Sequence, residues 1–333
     1  MSKGKAALGA AALAVLLALI VFLCGRESPP SGEGTAAAGS PEGFLTVEDL
    51  VNQFLLHQQS PEGIYQKDGW LAKEEVSLQP AMLDHAGRIF QSVYDAYLAG
   101  TGSPCYFAMV PGKHCFLGEG RPSLDYRQLA EEMAARTPFC TQLDLTPYLS
   151  LEDYYRTDCH WRQEMLPDVA RYLGEAMGTD VTAQYTVCTL DRAFTGDYLE
   201  QLNLSLPPEP LCCLTSPTLE RCQAARCDLS GVPQPIPLYD RSRDYGYDIF
   251  LSGAQGLVTL VNPQGDPDKE LLLFRDSFGS SLAPLLAEGY ATITLVDLRY
   301  LPSALLGEYL DFHGQDVLFL YSSLLLNNSL SLR

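Results

Sequence analysis

Two short stretches of this sequence hold a serine, an aspartate and a histidine that together can carry acyl transfer. Ser277 lies in Leu271–Ala283, LLLFRDSFGSSLA. Leu271 to Phe274 read as a short buried strand, and Ser280–Glu288 reads as a helix. A serine between the two presents its Oγ at the end of a sheet. There, backbone N–H groups and the positive end of a helix stabilise an oxyanion. The second stretch is Tyr155-Arg156-Thr157-Asp158-Cys159-His160-Trp161. His160 can take the serine proton near neutral pH. Asp158 can hold the imidazole in one tautomer and stabilise the imidazolium. Plainer readings stand beside this one. Asp276 or Ser277 can cap a helix. Asp158 can cap the helix that follows it, with His160 and Trp161 packed at its start.

Other positions are secondary. Asp276 reads as support for the turn. Arg275 and Gly279 flank the serine, and Arg299 and Tyr300 follow a strand near a sheet edge where ligands bind. These four are the candidate substrate or oxyanion residues. Asn327-Asn328 could supply an oxyanion donor or end a strand. His57, His85, His114 and His313 have no such companions and read as structural.

The positioning elements alternate. A helical pattern over Ala81–Leu98 precedes a strand at Cys105–Val110, and Leu124–Ala135 precedes a strand at Phe139–Leu145. A helix over Glu164–Met177 and a less defined stretch Val181–Leu190 follow. The later elements are strand Leu257–Val261, strand Leu271–Phe274, a helix near Ser281–Glu288, strand Thr292–Val296, helix Ala304–Leu310 and strand Val317–Tyr321. Ile64–Leu71 reads as irregular. Strands alternating with helices predict an α/β fold with a mostly parallel sheet. Leu199–Tyr245, rich in proline and cysteine, interrupts the rhythm and reads as a surface excursion.

Lys3 and Lys5 precede an apolar run, Ala6–Leu23, long enough to cross a bilayer. The lysines place the N-terminus in the cytoplasm. A single-pass anchor (residues 1–23) is therefore expected, then a flexible linker (24–43) and one extracytoplasmic domain (44–333). The Ala36-Ala37-Ala38 site lies too far beyond the apolar run for a cleaved signal peptide. Bulky Leu23 argues against lipidation of Cys24. A short helix is expected near Thr46–Leu56. Asn203 and Asn327 match the glycosylation acceptor pattern, relevant only in a host with the machinery.

The formal charge of −19 over 333 residues argues against nucleic acid as a partner. Ten cysteines in an exported chain suggest oxidation. At least one disulfide is expected among Cys212, Cys213, Cys222 and Cys227. Zinc is the alternative, but these pairs lack a Cys-x-x-Cys clip, so it ranks below disulfides; no metal or cofactor is assigned.

The chain resembles the extracytoplasmic proteins named for a DHHW motif, which are related to the SGNH-like acetyltransferases of alginate biosynthesis. The resemblance rests on Tyr155–Trp161, on Tyr247-Asp248-Ile249-Phe250-Leu251-Ser252-Gly253, and on Leu271–Gly279 with Val296-Asp297-Leu298-Arg299-Tyr300 after it. It covers most of Val93–Leu330. It implies a three-layer α/β/α domain with Asp158, His160 and Ser277 as a triad. It implies O-acyl transfer, or ester hydrolysis, on a cell-envelope or secreted polysaccharide, and a multispanning membrane acyltransferase as acyl donor. Cys159 stands where the naming motif has its first His, and Arg275 where SGNH enzymes have the Gly of Gly-Asp-Ser. Arg275 favours the alternative, an inactive SGNH-like domain that binds glycan or scaffolds an envelope assembly.

Overall fold

The computed structural model describes residues 63–75, 77–118, 123–202, 206–227 and 232–333. The expected membrane anchor, linker, Thr46–Leu56 helix and Asn203 lie outside these residues. No helix among the described residues is long and apolar enough to cross a membrane.

In chain order the elements are β1 (Ile64–Lys67), β2 (Trp70–Lys73), α1 (Pro80–Val93), β3 (Cys105–Val110), α2 (Tyr126–Arg136), β4 (Thr141–Asp144), α3 (Pro167–Ala176), β5 (Thr186–Phe194) and α4 (Asp197–Leu202). They continue with β6 (Glu209–Thr215), β7 (Gln223–Cys227), β8 (Pro233–Ile236), β9 (Leu257–Val261), β10 (Glu270–Arg275), α5 (Phe278–Leu286), β11 (Thr292–Val296), β12 (Asp316–Ser322) and α6 (Ser323–Leu326). Eight strands form one sheet in the order β4-β3-β12-β10-β11-β9-β7-β8. The first five are parallel. The last three run antiparallel to their neighbours.

The Leu271–Phe274 run explains the layers. A parallel strand covered on both faces needs apolar residues at every position. Leu271 and Leu273 pack with Val169 and Leu173 of α3 and Leu282 and Leu286 of α5. Leu272 and Phe274 pack with Leu83 and Phe90 of α1 and Leu129 and Met133 of α2. The result is a mixed α/β fold of three layers. β10 lies between β11 and β12, so its C-terminal end opens inside the parallel part of the sheet rather than at its edge.

Several local expectations change. Ile64–Leu71 is not irregular: β1 and β2 form a hairpin turning through Asp68 and Gly69, both at positive φ. An Asp-Gly pair suits that turn because it tolerates the left-handed region. The helix expected over Glu164–Met177 starts only at Pro167, behind a 3-10 turn at Gln163–Met165. Pro is suited to a first helical turn, where its missing N–H has no partner to lose. The helix expected at Ala304–Leu310 is a 3-10 segment, Ser303–Glu308. The less defined stretch Val181–Leu190 overlaps a strand, Thr186–Phe194.

Residues 199–245 are not a surface excursion. β7 and β8 extend the main sheet, β6 pairs with β5, and Leu211, Cys213, Leu214 and Leu219 are buried. The prolines that suggested a loop include Pro233 and Pro235 of β8, an edge strand. Proline is tolerated there because an edge leaves some N–H groups without a ladder partner.

The expected disulfide among Cys212, Cys213, Cys222 and Cys227 is not formed. Cys212 and Cys213 are consecutive on β6, so their side chains take opposite faces. Cys213 stands opposite Cys188 and Cys212 opposite Thr189. Cys222 packs on the α3/α5 side of the sheet and Cys227 on the α1/α2 side. A disulfide needs converging Cβ vectors, which this distribution denies the four thiols.

Candidate active site

Ser277 follows β10 and immediately precedes α5. Asp276 fixes that turn: its carboxylate accepts from the Phe278 N–H at 3.1 Å, and from the Ser322 N–H at 2.8 Å and hydroxyl at 2.7 Å. The end of β10 is thereby tied to the end of β12. The backbone N–H of Ser277 has no hydrogen-bond partner among the described residues.

Asp158 and His160 arrive from another part of the chain. The Tyr155 N–H donates to the His160 carbonyl at 3.0 Å, closing the loop that carries them. His160 Nε2 is 2.7 Å from Ser277 Oγ. His160 Nδ1 is 2.6 Å from Asp158 Oδ1. Asp158 also accepts from the His160 N–H at 2.9 Å, from the Asp197 N–H at 3.1 Å and from the Tyr245 hydroxyl. Gly196 makes the Asp197 contact possible, since a Cβ there would lie 2.2 Å from the Thr157 carbonyl oxygen.

The imidazole is held on its faces too. It stacks on Tyr247, with ring centroids 3.7 Å apart and planes at 14°, and touches Phe278 at 4.9 Å. Ser281, one turn into α5, gathers the supports. Its hydroxyl accepts from Trp161 Nε1 at 2.8 Å and meets the Tyr247 hydroxyl at 2.8 Å. Its carbonyl accepts from Gln163 at 2.7 Å.

Burial works against charge on both Asp158 and His160. The close donors win at Asp158, whose carboxyl lies well below the usual range. Burial lowers the His160 pKa, but the adjacent Cys159 and Asp158 side chains outweigh it, and the net shift is upward. Lys113 lies beneath the same loop, 4 % exposed. Its ammonium donates to the Tyr155 carbonyl at 2.9 Å and the Arg156 carbonyl at 3.3 Å. Burial lowers its pKa to about 8. Cys159 Sγ is 3.5 Å from His160 Nδ1, and burial pushes its thiol pKa up.

A cavity of about 410 Å³ opens over Ser277, lined also by Cys159, Phe278, Arg299, Leu325 and Asn328. Ligand atoms of Asp158, Cys159 and His160 lie within 4.8 Å of one another. Both His160 nitrogens and Asp158 Oδ1 are engaged in the Ser277 relay and Asp158 Oδ2 is held by Asp197 and Tyr245, so this donor set suits proton transfer better than a metal.

The secondary candidates separate. Arg299 lines the cavity, with its guanidinium clamped by Asp297 at 2.9 and 2.6 Å. Arg275 lies outside it, fully buried, 3.6 Å from Asp297. Gly279 does not face the cavity either. A Cβ there would meet Arg275 Cβ at 2.6 Å, so this glycine lets α5 pass over the arginine stem. Tyr300 is 55 % exposed and borders a neighbouring pocket. Asn327 is committed elsewhere, donating to the Ser77 carbonyl and accepting from the Gln79 N–H. Tyr245, Tyr247, Ser281, Lys113 and Asp197 were not singled out for the site from sequence. Only Tyr247, in a recognised block, carried a local signal.

No protein-family model matches the sequence, and no curated protein matches it. Solved structures do. A DHHW family protein from Eubacterium siraeum is similar over 79% of this chain and 91% of its own, at 18% identity and TM-score 0.64. PatB1 of Bacillus cereus is similar over 79% of this chain and 96% of its own, at 17% identity and TM-score 0.63. A second PatB1 structure, with a sulfonyl adduct, matches at 16% identity and TM-score 0.63. The fold is thus shared with the DHHW family protein and PatB1, in line with the DHHW, SGNH-like resemblance of the motifs.

Proposed function

We propose that this chain is a serine acyl-transfer enzyme, an O-acetyltransferase or esterase acting on a cell-envelope or secreted polysaccharide. The observation that carries the reading is the Asp158–His160–Ser277 relay, at 2.6 and 2.7 Å, opening on a cavity. The fold shared with PatB1, which has been seen with a sulfonyl adduct, supports it. Arg275 favoured an inactive domain, and its position outside the cavity removes that reason.

Ser277 Oγ attacks the acyl carbonyl while His160 Nε2 takes its proton. Asp158 keeps the imidazolium oriented and stabilised. The negative oxygen of the tetrahedral intermediate is met by the Ser277 N–H, which has no partner to give up among the described residues. Collapse expels the donor's leaving group with the proton from His160 and leaves an ester on Ser277. A sugar hydroxyl, or water, then repeats the cycle with His160 again as base. The apolar N-terminal run would hold the domain outside the cytoplasm. One apolar segment offers no path for an acyl group, so a transferase needs a multispanning partner as donor.

The test is turnover of p-nitrophenyl acetate by the full chain in detergent, with labelling by a sulfonyl fluoride. The expected result is label on Ser277 and turnover lost in Ser277→Ala. Equal turnover in the two proteins would sink the reading.

A further inference from the structure

The C-terminal edge of the sheet holds a second pocket beside the Ser277 cavity. We propose that this pocket, built around Tyr300, is a subsite for a neutral saccharide chain whose end enters the cavity. The proposal rests on the acyl-transfer reading for its role and on its own geometry for its existence.

Arg299 and Tyr300 are consecutive, and each borders a different space. Arg299 lines the Ser277 cavity. Tyr300 lines a pocket of about 380 Å³ with Gln255, Tyr309 and Arg226. The Arg299 guanidinium lies 5.6 Å from the centroid of the Tyr300 ring, so the two side chains form one wall running from pocket to cavity. Both volumes fall in the range of ordinary ligand sites, roughly 300–1,000 Å³.

The wall is built into the fold. The Asp297 N–H donates to the Gly256 carbonyl at 2.9 Å, tying the end of β11 to the entry of β9. A Cβ on Gly256 would press on Tyr300 Cβ at 3.2 Å, so this glycine lets the two segments close. Tyr300 nonetheless remains 55 % exposed. An exposed ring on a fixed backbone offers a flat apolar face with a polar tip, which matches the C–H face and hydroxyl rim of a sugar. Gln255 uses its amide nitrogen on the Ser252 carbonyl, leaving the amide oxygen to accept from a hydroxyl. Among the described residues, Arg226 donates to Gln234 through Nε and Nη2.

The charge on the wall selects the kind of saccharide. Asp297 takes two hydrogen bonds from Arg299 and lies 3.6 Å from Arg275, and Asp276 is the second carboxylate acting on this pair of guanidiniums. The chain as a whole carries −19, which disfavours a polyanion. A neutral chain is the occupant that both facts fit.

Binding is measured by calorimetry on the full chain in detergent, carrying Ser277→Ala so that no turnover intervenes. The probes are neutral hexasaccharides of glucose, xylose and N-acetylglucosamine. At least one should bind. Tyr300→Ala should weaken it at least tenfold with melting temperature unchanged, and Tyr300→Phe should restore most of it. Binding of none of the three, or equal binding by Tyr300→Ala, overturns the subsite. Ester turnover by the wild type is scored separately. Tyr300-dependent binding without turnover would leave the subsite standing while the acyl-transfer reading falls.

Discussion

Ser277 follows β10, and Ser323 follows the neighbouring strand β12. Each serine has a histidine and a carboxylate close by. Around Ser277 stand His160 and Asp158; around Ser323 stand His114 and Glu75, with Ser323 Oγ 3.4 Å and His114 Nδ1 3.5 Å from Glu75 Oε2. The two sets differ in charge: the first favours the ionised acid and base, the second their neutral forms. Asp158 has close donors from His160, Asp197 and Tyr245 and stays ionised. Among the described residues the side-chain contacts of Glu75 lie at the outer limit, including Asn327 at 3.5 Å. Burial therefore raises Glu75 to about 7 and lowers His114 to about 4. Space differs as well. The first set opens on about 410 Å³, while the pocket touching His114 holds about 10 Å³. Residue types alone do not make a relay; close donors keep the acid charged, and an open cavity admits substrate.

The largest effect should come from breaking the first set. Ser277→Ala and His160→Ala should each lower ester turnover by about a thousandfold or more, several kcal/mol in the barrier. The double variant should lose little beyond either single one, because neither group works without the other. Ser323→Ala should leave turnover within about twofold. A Ser323→Ala loss matching that of Ser277→Ala would erase the distinction.

The second set should show itself in stability, through two opposed terms. The raised Glu75 pKa means the fold keeps a proton that the unfolded chain loses, so this term falls as pH rises from 4.5 through about 7. The lowered His114 pKa means the unfolded chain gains a proton that the fold refuses. That term rises with pH from about 4 to 6.5. Each is about 3 kcal/mol by linkage, and they largely offset in the wild type. Urea unfolding of Glu75→Gln should show stability climbing over this window, and His114→Gln should show it falling. Parallel slopes in the two variants would contradict the assignment.

Tyr245→Phe sharpens the contrast by removing one Asp158 donor. A hydrogen bond to a charged group contributes roughly 1.5–3 kcal/mol, so turnover should drop about tenfold or somewhat more. Unchanged turnover would mean the remaining donors suffice. The mildest expectation is a pH profile. His160 must be neutral to act, and its pKa is raised, so kcat/KM should rise through a midpoint above 6.5. A midpoint below that value would remove the influence of Asp158.

The sequence showed Ser277, Asp158 and His160 because their signals are local. A buried run, a turn and a helix start frame the serine, and two positions separate the acid from the base. Their supports are not local. Tyr245 reaches Asp158 across 87 positions, and Trp161 reaches Ser281 across 120. Arg275 and Tyr300 were read toward the site because the face taken by a side chain at a strand end depends on the neighbouring strands. The prolines of β8 looked like loop residues, since an edge position is a property of the finished sheet.

Ser281 joins Trp161, Gln163 and Tyr247 at the start of α5, and His160 meets Ser277 across 117 positions. Contacts of such separation belong to slow steps of folding. Before the sheet closes, Ser277 has no base beside it and is an ordinary alcohol. Reactivity would therefore arise at the end of assembly, and its return after refolding would time the completion of the native state.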